Sequence, residues 1–124
     1  MLLREFCAVD IFSTGGTGDR SKGSRMFARI STFQGPPDQT AEGIRVAREQ
    51  ILPAARLQEG FLGIYLLFDR ESGRSLSITL WESEEDMKAS EEAALRARTE
   101  SAEAAGEVIV GVERYEVALQ ELKV

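Results

Sequence analysis

The sequence predicts an α+β fold, in which a four-stranded antiparallel sheet carries two helices on one of its faces. Three observations predict it. Four segments have the apolar content or the alternation of strands, and two longer segments have apolar or small residues spaced as in helices. The two kinds of segment follow one another in the order β-α-β-β-α-β, which is that of the ferredoxin-like fold. We therefore expect the first and third strands to lie side by side at the centre of the sheet.

The chain of 124 residues is predicted to form one domain, at residues 26–124, after an extension at residues 1–25. Residues 13–25, STGGTGDRSKGSR, have the composition of a flexible linker. Two interpretations of the extension remain open. Either Met26 is the natural start and the extension is not native, which we favour, or the extension is an arm whose apolar tip docks on a partner subunit.

The first strand is predicted at residues 26–33, MFARISTF, with alternate side chains on opposite faces. Phe27, Arg29, Ser31 and Phe33 share one of these faces. Residues 34–37, QGPP, end the strand because proline lacks the N–H group that a strand ladder requires.

The first helix is predicted to begin near Pro37 or Asp38 and to end before Gly60. Pro53 lies inside it and is expected to kink or loosen it, because proline removes a helical hydrogen bond. The predicted apolar stripe of this helix consists of Ile44, Ala47, Ile51, Ala54 and Ala55.

The second and third strands are predicted to form a hairpin. Residues 61–68, FLGIYLLF, are apolar on both faces, which indicates a strand covered on both sides. Residues 69–74 form the connection, and Gly73 is available for a positive φ angle. Residues 75–81, SLSITLW, alternate strictly between two faces.

The second helix is predicted to be capped by Ser83, with Asp86 three residues later in a capping-box pattern. We expect one helix from there to about Ala105, stopped by Gly106. Residues 108–117 are predicted to form the last strand. The small side chains expected to line the helix are Ala89, Ala93, Ala94, Ala97 and Ala102.

The sheet face without helices is predicted to bury itself against a second copy of the chain. Leu76, Ile78 and Leu80 are assigned to that face, or the opposite set of the third strand if the parity is reversed. An apolar surface of this size favours association. We expect a two-fold homodimer formed sheet against sheet.

The composition excludes several classes of function. The formal net charge of −6 argues against a nucleic-acid partner. No apolar run approaches the roughly 20 residues that span a membrane. One cysteine cannot form an internal disulfide, which suits a cytoplasmic protein. The absence of histidine removes the usual base of serine triads and the usual ligand of metal sites, so we expect no metal and no cofactor.

Several of these residues resemble the antibiotic biosynthesis monooxygenase (ABM) family, which belongs to the dimeric α+β barrel group. The resemblance covers residues 26–118. The residues that carry it are the Gly60-Phe61 start of the second strand, the Asp69-Arg70 and Gly73 hairpin, and the junction Trp81-Glu82-Ser83-Glu84-Glu85. It implies a dimeric barrel with a cavity between sheet and helices.

The resemblance also bears on individual positions. Trp81 matches the family tryptophan that lines the cavity, and Ser77 stands where some oxygenases carry a polar amide. Arg29 stands where haem-degrading members carry an asparagine. The histidine with which those members hold haem iron is absent here. The resemblance therefore does not extend to haem degradation.

The predicted substrate site combines an aromatic wall, Trp81, with a cation, Arg29. Because the two strands are antiparallel neighbours, an early residue of one lies near a late residue of the other. The candidate hydrogen-bonding residues are Ser77, Thr79, Ser31 and Tyr115.

Each candidate also has a purely structural interpretation. Trp81 is then a core anchor, Arg29 a rim residue and Tyr115 a packing residue. Arg96 and Arg98 are expected to be solvated or paired with Glu92 and Glu100 on their own helix, and the alternative is that they flank a pocket.

The function predicted on this basis is cofactor-independent oxygenation of a small aromatic of the phenol or quinone type. The alternative is a non-catalytic dimer that binds a small ligand or is purely structural. An open cavity lined by Trp81 and polar groups favours the first interpretation. A cavity filled by Phe27 and Phe33 favours the second.

Overall fold

A computed structural model describes residues 25–123, so the predicted N-terminal extension lies outside the described residues except for Arg25. Ten elements follow one another along the chain. They are β1 (Phe27–Gln34), a 3-10 turn (Pro37–Gln39), α1 (Thr40–Val46), a π-helical turn (Ala47–Ile51), α2 (Leu52–Arg56), β2 (Phe61–Phe68), β3 (Arg74–Trp81), α3 (Glu84–Ala89), α4 (Glu91–Ala105) and β4 (Val108–Glu116).

The four strands form one antiparallel sheet in the order β2-β3-β1-β4. This is the predicted ferredoxin-like arrangement, with the first and third strands at the centre. The register places Phe27 opposite Trp81 and Arg29 opposite Thr79. The start of β1 therefore lies beside the end of β3, as the antiparallel order requires.

The first helical region is interrupted, as predicted, next to Pro53. The π-helical turn ends directly before α2, and Pro53 lies in the first turn of α2, where its missing N–H group is tolerated. A π turn has more residues than an α turn, so no single stripe can run through the whole region. In α1 the stripe residue Ile44 is only half-buried, and the fully buried residues are Thr40, Gly43 and Val46. Further along, the stripe residues Ile51, Ala54 and Ala55 face the sheet side as predicted.

The second helical region is broken at Ser90, where a single helix was predicted. In a continuous helix, the Met87 carbonyl oxygen would accept the N–H of residue 91. Here it accepts from Arg29 Nη2 at 2.7 Å and from the Ser90 hydroxyl at 2.8 Å. A side chain from β1 thus occupies the acceptor at the break. The break also changes the helical phase, so Ala89 is exposed, against the prediction.

The turns and caps predicted from local sequence are present. Ser83 is the N-cap of α3, and its hydroxyl accepts from the Asp86 N–H at 3.0 Å. Gly106 ends α4 with a φ of 69°. Gly73 has a φ of 82°, and a Cβ atom there would collide with the Gly35 carbonyl oxygen. The β2–β3 hairpin is therefore built tightly against the end of β1.

The sheet has one covered and one open face in the single chain. The covered face holds a core of Phe27, Trp81 and Met87, with Phe61 packed against it. On the open face, Tyr65 and Leu67 are each 45% exposed, so a single chain covers β2 on one side only, and cover on its second side stays a prediction. Adjacent β2 and β3 side chains thus form an apolar surface that the chain itself leaves partly exposed.

No helix within residues 25–123 is both long enough and apolar enough to cross a lipid bilayer.

Candidate functional site

A small cavity with a free volume of about 40 Å³ lies between the central strands and the helices and is open at its mouth. The strands contribute Arg29, Ser31, Phe33, Ser77, Thr79 and Trp81. The helices contribute mainly small side chains, namely Ala54, Ala55, Ala93, Ala94 and Ala97. The alanines leave this space because larger side chains at the same positions would fill it.

Trp81 forms one end of the cavity and is also part of the core. Its side chain is 1% exposed and its ring packs edge to face on Phe61, with 5.8 Å between ring centroids. Its indole N–H donates to Thr79 Oγ1 at 2.9 Å. The structure therefore places Trp81 at the predicted cavity, but with its polar group already satisfied.

Arg29 points into the same region, as predicted, but Nε and Nη2 of its guanidinium are engaged. Nε donates to Glu91 Oε2 at 3.3 Å. Nη2 donates to the Met87 carbonyl at 2.7 Å and to Ser90 Oγ at 2.8 Å. The same nitrogen lies 3.1 Å from Glu91 Oε2. The guanidinium carbon is 5.3 Å from the Trp81 ring centroid. Burial lowers the pKa of Arg29, while Glu91 opposes that shift. Arg29 thus joins the sheet to the α3–α4 break.

Glu91 is shared between two arginines at the N-terminal end of α4. Arg114, on β4, donates from Nε and Nη2 to the two carboxylate oxygens, each at 2.7 Å. These bonds, followed by the charge and hydrogen bond of Arg29, lower the pKa of Glu91 to about 2. Glu91 therefore stays ionised and neutralises one of the two cationic charges.

Three predicted hydroxyl residues lie on the cavity floor. Ser31, Ser77 and Thr79 are all buried on the face that meets the helices. Thr79 accepts from Trp81, and Ser31 accepts from Arg98 Nη1 at 3.4 Å. Within residues 25–123, the Ser77 hydroxyl has no side-chain hydrogen-bond partner. It is therefore available to a bound molecule.

Tyr115 is not part of this cavity, which corrects the prediction. It pairs with Ala28, one position out of phase with Arg29, and therefore points to the open face of the sheet. Its side chain is 52% exposed. The alternation within β4 does not show which face Tyr115 takes, because that is set by the register with β1, far away in the chain.

Arg98 is a site residue that the sequence interpretation did not include in the predicted substrate site and placed near a pocket only as the alternative. It was expected in solvent or paired along its helix, yet it is only 7% exposed and lines the cavity. Burial, followed by the nearby charge of Arg29, lowers its pKa. A signal was present, because Arg98 lies four residues after Ala94 and four before Ala102, on the small-residue stripe that was predicted to face the sheet.

No group of three or more His, Cys, Asp or Glu side chains within residues 25–123 is arranged to hold a metal ion.

Comparison with known sequences identifies a family. The model of the antibiotic biosynthesis monooxygenase family matches residues 26–105. An uncharacterised protein of Mycobacterium tuberculosis, Rv2558, is 36% identical over 80 residues, which are 64% of this chain and 34% of that protein. A second one, Rv2557, is 36% identical over 93 residues, or 75% and 41% of the two chains. The chain thus spans about a third to two fifths of the length of these relatives.

Comparison with solved structures supports the same fold. SnoaB from Streptomyces nogalater, a cofactor-independent oxygenase, superposes with a TM-score of 0.54 at 19% identity, covering 80% of this chain and 97% of SnoaB. NE2512 from Nitrosomonas europaea, of unknown function, gives 0.60 at 17% identity, covering 82% and 97%. The resemblance inferred from sequence is confirmed, and the chain belongs to the antibiotic biosynthesis monooxygenase family.

Proposed function

We propose that this protein is a cofactor-independent monooxygenase that acts on a small, electron-rich aromatic compound of the phenol or quinone type. One observation carries the proposal. A single cavity, open at its mouth, brings together the Trp81 ring, two buried guanidinium groups and three hydroxyl groups. This is the combination that binds a flat, ionisable ring. The shared fold of SnoaB, described as a cofactor-independent oxygenase, is consistent with it.

The proposed reaction needs no reductant because the substrate supplies all the electrons. A carbon next to the phenolate ring loses a proton to water at the mouth, and the resulting anion passes one electron to O₂. The substrate radical and superoxide then combine to a peroxide, and loss of water leaves a carbonyl group. The balance is R–CH₂–R′ + O₂ → R–CO–R′ + H₂O.

The chain contributes binding and electrostatics to this reaction. The alanine-lined walls exclude most water, which strengthens the interaction between a guanidinium and a developing negative charge. Ser77 and Ser31 donate hydrogen bonds to ring substituents. Trp81 limits the ring at one end, so that the substrate is held with its reactive carbon towards the mouth.

The proposed active form is a homodimer in the cytoplasm, without nucleic acid or membrane partners. Tyr65, Leu67 and Tyr115 are about half exposed on the open sheet face, together with the partly exposed Leu76 and Ile78 of β3. Burying this surface against a second copy is the simplest way to remove it from water. Each subunit then retains its own complete cavity on the opposite face.

The test is oxygen uptake by the purified chain with a panel of hydroxyaromatics and anthrone-like compounds, without added metal, flavin or haem. We expect one O₂ consumed per product, with one oxygen atom from ¹⁸O₂ in the new carbonyl group. Ala97→Phe fills the cavity and should abolish uptake. Ala104→Phe adds the same bulk at an exposed position of α4 and should leave uptake unchanged.

A second candidate function is non-catalytic binding of the same class of compound. It is favoured by the satisfied indole N–H of Trp81, by the engaged Nε and Nη2 of Arg29 and by the small free volume of the cavity. The same experiment separates the two functions. Thermal stabilisation by a ligand that Ala97→Phe abolishes, without oxygen uptake above autoxidation, identifies the protein as a binding protein and contradicts the monooxygenase.

A further inference from the structure

Arg98 is a buried cation without a carboxylate partner. Its guanidinium lies inside the cavity, where Nη1 donates to Ser31 Oγ at 3.4 Å. Within residues 25–123, the Arg98 side chain makes no other hydrogen bond, and no carboxylate lies within ion-pair distance of its guanidinium. A guanidinium carries five N–H donors, so most of its donors have no protein acceptor. Burying such a group is costly unless an anion or water compensates its charge.

Arg29 differs from Arg98 in this respect, although both line the cavity. Glu91 neutralises Arg29, whose Nη2 is also bound by the Met87 carbonyl and Ser90. Three guanidinium groups, those of Arg29, Arg98 and Arg114, therefore share one carboxylate. The cavity has a surplus of positive charge, and that surplus is centred on Arg98.

We propose that Arg98 is the anion-binding residue of the cavity and that the ligand is an aromatic carboxylate. This inference rests on the proposed function, in which the cavity takes a flat aromatic ring. The carboxylate lies against the Arg98 guanidinium, which suits two parallel N–H···O bonds, and close to Ser31. The ring then extends along Ser77 towards Trp81, between the alanines of α2 and α4. Arg29 holds the fold and does not contact the carboxylate.

The test compares two probes of nearly the same shape, 2,5-dihydroxybenzoate and its uncharged amide, by titration calorimetry. Wild-type protein is expected to bind the carboxylate about 10- to 150-fold more tightly than the amide, the range that a charge-assisted hydrogen bond supplies. This comparison requires no variant. Equal affinity for the two probes, or no binding of the carboxylate below about 1 mM, overturns the inference.

The variants Arg98→Gln and Arg96→Gln form a matched pair, because both remove one positive charge from α4 but Arg96 is exposed. Arg98→Gln should weaken the carboxylate about 10- to 150-fold and leave the amide nearly unchanged. Arg96→Gln should change neither. A purely structural arginine would lower the melting temperature when replaced. Arg98→Gln is expected to melt no lower than wild type, since it removes a buried charge without an anion.

Oxygen uptake by the same wild-type and variant proteins, measured with an anthrone carboxylate and its uncharged amide because the proposed reaction requires a CH₂ group, separates this inference from the proposed function. Arg98-dependent binding of the carboxylate without oxygen uptake supports the anion site and contradicts the monooxygenase. Oxygen uptake with the carboxylate that Arg98→Gln leaves intact supports the monooxygenase and overturns the anion site.

Discussion

The Arg29–Glu91 pair is predicted to stabilise the fold more than the Arg114–Glu91 pair, although the Arg114 bonds are shorter. Arg114 donates two bonds of 2.7 Å, whereas Arg29 approaches Glu91 at 3.1 Å. The hydrogen bonds of Arg114 are also the largest cause of the lowered pKa of Glu91. Bond length alone therefore indicates that the Arg114–Glu91 pair is the more stabilising, whereas burial indicates that the Arg29–Glu91 pair is.

The magnitude follows from solvent exposure. The Arg29 side chain is 3% exposed and that of Arg114 is 43% exposed. Exposed ion pairs contribute about 0.2–1 kcal/mol because water and salt screen them. A hydrogen bond to a buried charged group contributes about 1.5–3 kcal/mol. We expect coupling free energies of about 1.5–3 kcal/mol for Arg29–Glu91 and below about 1 kcal/mol for Arg114–Glu91.

The measurement is a pair of double-mutant cycles with Arg29→Gln, Arg114→Gln and Glu91→Gln. Urea unfolding at pH 7 is followed by the fluorescence of Trp81, the only tryptophan of the chain, at a fixed protein concentration. Glu92→Gln, an exposed neighbour, is the control and should change stability by less than about 0.5 kcal/mol. A coupling for Arg114 that equals or exceeds that for Arg29 would refute the reasoning.

Three further predictions concern pH, backbone conformation and assembly. The pKa of Glu91, about 2 when folded against 4.5 when unfolded, gives a stabilisation that is complete above pH 4.5 and lost as the pH falls towards 2. After allowance for solvent screening, this stabilisation is on the order of 1–2 kcal/mol. The free energies of unfolding of wild type and Glu91→Gln should therefore converge as the pH falls from 4.5 to 2. A difference that stays constant over this pH range would contradict the prediction. Gly106→Ala should lower the free energy of unfolding by about 1–2 kcal/mol, because its backbone is left-handed. Gly73→Ala should lower it by about 1–3 kcal/mol more, because the added Cβ atom also collides with Gly35. Equal losses for the two variants in urea unfolding would count against the collision. Ile78→Glu should dissociate or unfold the dimer, which light scattering would detect, whereas a wild-type monomer at micromolar concentration would disprove the sheet-to-sheet dimer.

Much of the fold could be predicted because it depends on local periodicity. The strict alternation of residues 75–81 identifies β3 and divides it into a cavity face and an open face. Ser83 and Gly106 fix helix ends through bonds and φ angles that involve their immediate neighbours. The antiparallel order of the strands then brings Arg29, Ser77, Thr79 and Trp81 together, as expected.

The parts that could not be predicted depend on residues far apart in the chain. The break at Ser90 involves Arg29, 61 residues earlier, and no helical pattern near Ser90 reveals that partner. The register that pairs Tyr115 with Ala28, 87 residues earlier, turns Tyr115 to the open face.

The sequence by itself determined the order of the elements and the division of the central strands into two faces, and the resemblance to the family implied a cavity between sheet and helices. Only the tertiary structure decided the roles of the arginines. In it, Glu91 pairs with Arg29, and Arg98 has no carboxylate partner among the described residues. The physical reason is that periodicity places a side chain on a face. The partner of a buried charge is chosen by distances across the fold, where desolvation makes a few ångströms decisive.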